Sequence, residues 1–371
     1  MWPAVATIAF ASVFSYPDEG SEPMGRAGAW VARASDPIAI ARNPAGLAGQ
    51  SLRMSAGWDL PIRNTCVGDI CDTASPFPVG FLAINLPATP RLSIGTGVVT
   101  PHGIARMQSA VLDSMTFFII PTFGLAYEVA DGVKIGASFG WGMATTRTSS
   151  RMPTLYGNYD VAVLANDFFV PRGTIGAHAR ANEYVEAGAS FMVSAPFDGS
   201  GQGRASAVTY VDHRWYPNTE FEVQIPAEAS LGVRVRAPRG SDSQTTSKGD
   251  PIDTELGDIE LDASWSNDAA IDGYGRRFRN VVGFRLGGDL NVLPGVLAIR
   301  AGGFIIPRAG EPGFVAIEAM SGTRVGLSAG MTARVDKRFD LSVAYLHMFI
   351  GDVGSVSDGL DVMHLGVAYR F

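Results

Sequence analysis

The sequence predicts an all-β protein: a transmembrane antiparallel β-barrel of about fourteen strands whose lumen is plugged by the amino-terminal segment. Three observations lead there. Apolar residues recur at every second position through many segments of about 10 residues, the length that crosses a bilayer as a tilted strand. Hydrophobic residues make up 46% of the chain and mean hydropathy is +0.14, yet no apolar run reaches the roughly 18 residues of a spanning helix. The chain also ends on Met363, Leu365, Val367, Tyr369 and Phe371, alternating with His364, Gly366, Ala368 and Arg370. Such an ending suits a last strand that closes on the first and leaves no edge.

Composition narrows the classes further. Charged residues are 18%, against roughly 25% in soluble domains. The 44 glycines among 371 residues argue against a helical protein and suit tight turns and narrow lumen positions. The net charge of −7 comes without a basic cluster, so nucleic acid is excluded as a partner. Ala4 to Phe14 is an apolar stretch of signal-peptide length, followed by Ser15 and then Asp18 and Glu19. No Lys or Arg precedes it. The expected organisation is a signal peptide at 1–15, a plug at 16–50 and a barrel at 51–371.

An exported chain folds in an oxidising compartment, so Cys66 and Cys71 are expected to form a small loop disulfide. Their spacing is not that of a CxxC redox pair, and two thiols alone make a poor zinc site. His102, His178, His213, His347 and His364 are scattered, without an HExxH motif. No metal or cofactor is expected. No Ser–His–Asp order stands out, so the expectation is a protein that is not an enzyme.

Alternation places strands near 51–60, 78–86, 91–100, 117–129, 133–146, 182–194, 203–213, 219–236, 257–266, 278–291, 296–306, 323–335, 339–349 and 361–371. The eighth is the clearest. Phe221, Val223, Ile225, Ala227, Ala229, Leu231, Val233 and Val235 alternate with Glu222, Gln224, Pro226, Glu228, Ser230, Gly232, Arg234 and Arg236, which is the lipid-out, lumen-in code. Short turns such as Pro87–Pro90, Ala130–Gly132 and Asp336–Arg338 alternate with long gaps, among them 147–181, read as an external loop. The polar stretch Ala237 to Leu256 breaks that alternation; it is an insertion at the short-turn end or a slip in the strand count.

A recognisable phrase lies near the amino terminus. Met24-Gly25-Arg26-Ala27-Gly28-Ala29, then Ala34-Ser35-Asp36-Pro37, then Asn43-Pro44-Ala45-Gly46-Leu47 resembles the opening of the FadL/TodX family of outer-membrane transporters for long-chain fatty acids and hydrocarbons. Gly95-Thr96-Gly97-Val98-Val99-Thr100-Pro101-His102-Gly103 is similar to that family's third strand, Ile225-Pro226-Ala227 to its eighth, and Ile299-Arg300-Ala301-Gly302-Gly303 to its eleventh. The resemblance implies a fourteen-stranded barrel, a periplasmic-side hatch carrying Asn43, Pro44, Ala45 and Gly46, and a kinked third strand through which ligands leave sideways.

Physical chemistry adds its own reading of these residues. Asn before Pro favours a turn. Gly95, Gly97, Pro101 and Gly103 sit where strand hydrogen bonding can be interrupted. Alternation turns Arg285, Asp289, Arg300, Arg324, Arg334, Glu228 and Arg234 inward. Paired charges bracing the wall are the default for such a set; Arg285 or Arg300 orienting an anionic head group is the sharper possibility.

The function expected is passive uptake of hydrophobic small molecules across a bacterial outer membrane. An outer-membrane lipid-acting enzyme and a structural or adhesive barrel are the alternatives. Expected partners are the hydrophobic ligand, outer-membrane lipid and, during biogenesis, the barrel-assembly machinery, with the protein itself a monomer.

Overall fold

A computed structural model describes residues 19–100, 104–108, 112–154, 157–207, 216–239, 250–270, 278–310, 322–354 and 356–371. The expected signal peptide lies outside them, as do Pro101 and Gly103. Strand segments run β1 (Arg53–Val67), β2 (Ile70–Thr73), β3 (Val79–Pro87), β4 (Leu92–Val99), β5 (Ile104–Gln108), β6 (Leu112–Ala130), β7 (Val133–Thr154), β8 (Gly157–Arg180) and β9 (Val185–Ser194). They continue as β10 (Phe197–Ala207), β11 (Tyr216–Val223), β12 (Glu228–Pro238), β13 (Glu255–Ser266), β14 (Val281–Leu293), β15 (Leu297–Ile306), β16 (Arg324–Arg334), β17 (Phe339–Val353) and β18 (Val356–Arg370).

The wall closes where β1 meets β18, antiparallel, from Arg53 opposite Arg370 to Val67 opposite Val356. Four wall positions hold two pieces each: β2 with β3, β4 with β5, β9 with β10, and β11 with β12. The segments therefore build a closed ring of 14 strands. Closure is what lipid demands, because an unpaired amide or carbonyl in hydrocarbon costs several kcal/mol, on the order of 2–7.

The strand count agrees with the sequence reading, but by cancellation. The expected external loop 147–181 is the upper half of β7 together with β8, paired from Val133 opposite Ala179 to Thr154 opposite Gly157. The expected strands 182–194 and 203–213 share one position as β9 and β10, which lie end to end against β8. Pro171 within β8 hid that strand and Pro196 split its neighbour, since proline donates nothing to a ladder. A third correction concerns Ile225. It is buried, at 8% exposure, where the wall position is broken between β11 and β12, so the alternation slips phase there.

The exterior carries the apolar band. Leu231 is 65% exposed, Ile259 63%, Leu286 54%, Leu327 59% and Leu365 62%, far more contiguous greasy surface than a water-soluble domain tolerates. A bilayer needs roughly 9–11 residues per tilted strand, whereas β7 has 22 and β8 has 24. The far half of that hairpin therefore stands clear of the hydrocarbon. Among the described residues no helix is long and apolar enough to cross a membrane.

Leu231→Arg, on the lipid face, is expected to destabilise the barrel by roughly 2–4 kcal/mol. Equilibrium unfolding in urea from lipid vesicles measures it; an unchanged midpoint would mean that face does not meet lipid.

Candidate functional site

Residues 19–50 lie inside the ring. They form α1 (Ser21–Gly25), α2 (Ala39–Arg42) and a 3-10 turn at Pro44–Leu47. Met24, Arg26, Trp30, Val31, Ala32 and Leu47 are fully enclosed. Lumen-facing glycines make the room. A Cβ on Gly302 would stand 2.4 Å from the Arg26 carbonyl carbon, one on Gly188 2.3 Å from the Val31 oxygen, and one on Gly136 2.4 Å from the Ala45 nitrogen. No side chain fits at those points, so part of the glycine excess is spent on letting backbone touch backbone.

Charge then fixes the segment in place. Asp258, Glu260 and Asp262 occupy alternate positions of β13 and so share its inner face. Arg26 reaches Asp258 at 2.6 Å, Asp289 at 2.7 Å and Glu260 at 3.2 Å. Arg33 pairs with Asp258 and, at 2.9 Å, with Asp289. The carboxylates also grip backbone: Trp30 N donates to Asp262 at 2.8 Å and Ala32 N to Glu260 at 2.6 Å. Burial works against the Arg26 cation, but Asp258 and Asp289 outweigh it and raise its pKa. For Glu22 burial works against the anion, and Arg33 and Arg300 overcome it to hold the carboxyl far below its ordinary range.

The Asn43–Gly46 turn packs against β7 and β8. Asn43 Nδ2 donates to Val31 O at 2.7 Å and to Ala177 O of β8 at 3.1 Å, while its Oδ1 accepts from Ala45 N at 3.2 Å. One side chain thus caps the turn, ties two parts of the segment and joins both to the wall. Gly46 is crowded by Ala34, whose oxygen would stand 2.2 Å from a Cβ.

On the long-strand side of the segment an apolar cluster lies in the lumen, beside buried polar groups that include Arg324, Asp268 and the Arg63–Asp358 pair. Phe118, Phe197, Phe278, Phe304, Leu346 and Met348 point inward and are buried, with Met24 and Ala27 of the segment in the same cluster. Arg285 stands at this junction, its guanidinium 5.5 Å from the Phe304 ring and Nη1 donating to Ala27 O at 3.4 Å. Arg300 sits deeper, held by Asp289 at 2.9 Å, Thr332 at 2.6 Å and Glu22 at 3.5 Å. The sequence reading did not single out these inward apolar residues. Their signal was available in runs such as Ala344–Ile350, where both faces of a strand are apolar except at His347.

The third wall position is broken. β3 pairs with β4 only as far as Leu82 opposite Val98, and β5 pairs with β6 alone among the described residues. Gly97 lies below the break, 2.4 Å from Leu82 O to a would-be Cβ, and Gly95 faces Leu47 of the amino-terminal segment. Beside the break Thr100 and Glu19 are both buried, at 3% and 6% exposure. Neither Glu19 oxygen makes a well-formed hydrogen bond, although Thr100 is close by. Burial, reinforced by Asp59, pushes the Glu19 carboxyl up to about 8 despite Thr100 and Arg172.

Cys66 and Cys71 face each other in the β1–β2 hairpin and are joined by a disulfide. Folding also brings carboxylates to histidines that look isolated in sequence. His364 lies 2.5 Å from Asp59 and His347 2.7 Å from Asp361. Among the described residues the second nitrogen of His364 makes no hydrogen bond.

Solved structures similar over nearly the whole chain include the following three. A Pseudomonas aeruginosa FadL homologue is 16% identical, covers 96% of this chain and 99% of its own, and superposes with a TM-score of 0.78. The Ralstonia pickettii toluene transporter TbuX is 16% identical, with coverages of 97% and 100% and a TM-score of 0.74. The P. putida toluene transporter TodX is 13% identical, with coverages of 96% and 99% and a TM-score of 0.71.

The chain has the FadL fold. No protein-family profile matches it, and no curated protein sequence does. What it shares with the FadL homologue and the toluene transporters is architecture, reached through a sequence almost wholly rewritten.

Two predictions concern how the segment is seated in this FadL-type barrel. Arg26→Ala strands Asp258 and Asp289 as buried charges with less compensation and should weaken the seat by about 3–5 kcal/mol. Protease cleavage within residues 19–50 of a barrel that still migrates as folded is the expected readout. Glu19 supplies a pH dependence. Its acid is harder to ionise in place than in an unfolded chain, so the seat is firmest below the ordinary value of 4.5 and loosens as pH rises towards about 8. Cleavage rates across pH 5 to 9, at sites whose exposure requires the segment to open, should show that slope, and Glu19→Gln should flatten it.

Proposed function

We propose that this protein is a channel of the bacterial outer membrane for passive uptake of hydrophobic small molecules. The short-turn end faces the periplasm and the long β7–β8 hairpin faces outward, as in barrels of this kind. One observation supports the reading: a cluster of inward apolar side chains adjoins the charge-held amino-terminal segment, in a barrel whose wall is unpaired between β3 and β5.

The energetics favour a sideways exit. A hydrocarbon gains about 0.8 kcal/mol per methylene on leaving water, so a wet axial pore offers it nothing. An apolar lumen that opens to the bilayer core keeps it out of water throughout. In this scheme residues 19–50 act as the hatch, with Asn43 and Pro44 shaping the turn that holds it shut. The break around Thr100 is the lateral door. Arg285, bonded to Ala27 O and standing over Phe304, borders the apolar cluster where a polar or anionic end of a ligand would arrive; Arg300 lies deeper, among Asp289, Thr332 and Glu22. Toluene and long-chain acids both satisfy an apolar lining. The protein works as a monomer in contact with outer-membrane lipid after insertion by the barrel-assembly machinery.

Leu346→Arg places a cation in the apolar lining and should cut uptake of a hydrocarbon into reconstituted vesicles by about tenfold or more, from the cost of bringing an apolar ligand past a charge. The assay is accumulation of labelled toluene or palmitate at matched protein insertion. Uptake equal to that of the unmodified protein would remove the lumen from the route.

A further inference from the structure

The long polar stretch after β12 breaks the short-turn rule, and its described end has an unexpected course. Residues Asp250–Glu255, including α3 (Pro251–Thr254), connect to β13 but reach across the ring. The Asp250 carboxylate is held by Arg334 of β16 and Arg370 of β18, each at 2.9 Å, and by Arg53 of β1 at 3.5 Å. Counted around the ring from β13, β16 lies three strands away, β18 five and β1 six, so one carboxylate ties β13 to wall segments progressively farther round the mouth. Because α3 is a single helical turn rising about 1.5 Å per residue, these six residues span only about 10 Å, and the long side chains of Arg334, Arg370 and Arg53 reach inward to cover the rest.

The crossing is pinned along its length. Asp253 bonds Arg334 at 2.6 Å, Asn291 Nδ2 donates to Pro251 O at 3.0 Å and to Glu255 O at 2.8 Å, and Gly295 N donates to Ile252 O at 2.8 Å. Burial alone would raise the Asp250 carboxyl, but Arg53, Arg370 and Arg334 hold it below its ordinary range. The clasp therefore stays charged at neutral pH.

Between this crossing and the amino-terminal segment lies a cavity of about 490 Å³. Its floor is Asp250, Pro251 and Asp253, its roof includes Arg33 and Gln50, and its side wall includes Ser93. Charged side chains of the segment and the wall, among them Arg33, Lys134, Arg180 and Arg236, line it together with apolar groups such as Ala34 and Pro87.

We propose that Asp250–Glu255 is a strap that narrows the periplasmic mouth, a second barrier in series with the amino-terminal segment, and that the cavity is an antechamber between the two. The strap slows small hydrophilic solutes and ions, which the segment's own polar interior would otherwise tolerate once it loosens. Hydrophobic ligands leaving through the wall never meet it. The idea therefore goes beyond the uptake route and stands or falls separately.

Thiol access to the antechamber tests it. Ser93→Cys places a single reactive thiol on the cavity wall, because Cys66 and Cys71 are already joined. In nanodiscs, a charged hydrophilic maleimide should label it slowly. Adding Asp250→Ala removes the clasp and should speed labelling by about tenfold or more, the factor expected when charge-assisted hydrogen bonds that hold a local structure shut are lost. Asn291→Ala frees the strap's carbonyls without changing charge and should act in the same direction, less strongly. Folding of each variant is checked by its heat-dependent gel migration. Should Asp250→Ala fail to fold, Asn291→Ala decides the matter. Labelling as slow in the folded variants as in Ser93→Cys alone, or already fast in Ser93→Cys alone, overturns the strap.

Discussion

Hydrogen-bond closure of the wall is the constraint on which everything else rests. Strands β1 and β18 pair along their whole lengths, and that seam turns a sheet with two costly edges into a cylinder with none. Once the ring is closed, its outer face must be apolar and its interior must be filled or wet. The fill is the chain's own amino-terminal segment. Its seat uses two means: backbone touching glycine at Gly136, Gly188 and Gly302, and buried carboxylates of β13 gripping Arg26 and the amides of Trp30 to Arg33.

That choice of seat has consequences for mechanism. A plug held by packed hydrocarbon would be hard to distinguish from a barrel core. One held by buried ion pairs is different, because such pairs gain little net stability while making any half-broken state costly. The apolar cluster adjoins the seat, in a barrel whose wall is unpaired between β3 and β5. Glu19, an acid without a cation partner in hydrogen-bond contact, sits beside that break.

Much of this was legible in the chain. Leu231, Val233 and Val235 read as lipid-facing and are exposed; Arg234, Arg285, Asp289, Arg300 and Arg324 read as inward and are buried. Period-two alternation reports a face directly, with no need of tertiary knowledge. The reading failed where that period is interrupted or loses its contrast. Pro171 lies inside a strand and Pro196 divides a wall position, and above the bilayer β8 has no lipid face to declare itself. Ile225 slipped because a break between β11 and β12 shifts the phase, and a one-residue shift reverses every side chain beyond it.

By itself, the sequence determined the class: a cylinder with a greasy outside, a charged inside and a glycine-rich front segment, because each of those is a local property of alternation and composition. Tertiary structure alone decided which charges meet. Arg26 is more than two hundred residues from Asp258, and Asp250 finds Arg53 and Arg370 only because ring closure brings both chain ends to one seam. Such pairings leave no trace in spacing, since Coulomb attraction and hydrogen bonding act through space between groups that the chain merely delivers. The strap across the mouth belongs to the same category. Its residues look like any polar insertion until the opposite wall is in place to hold them.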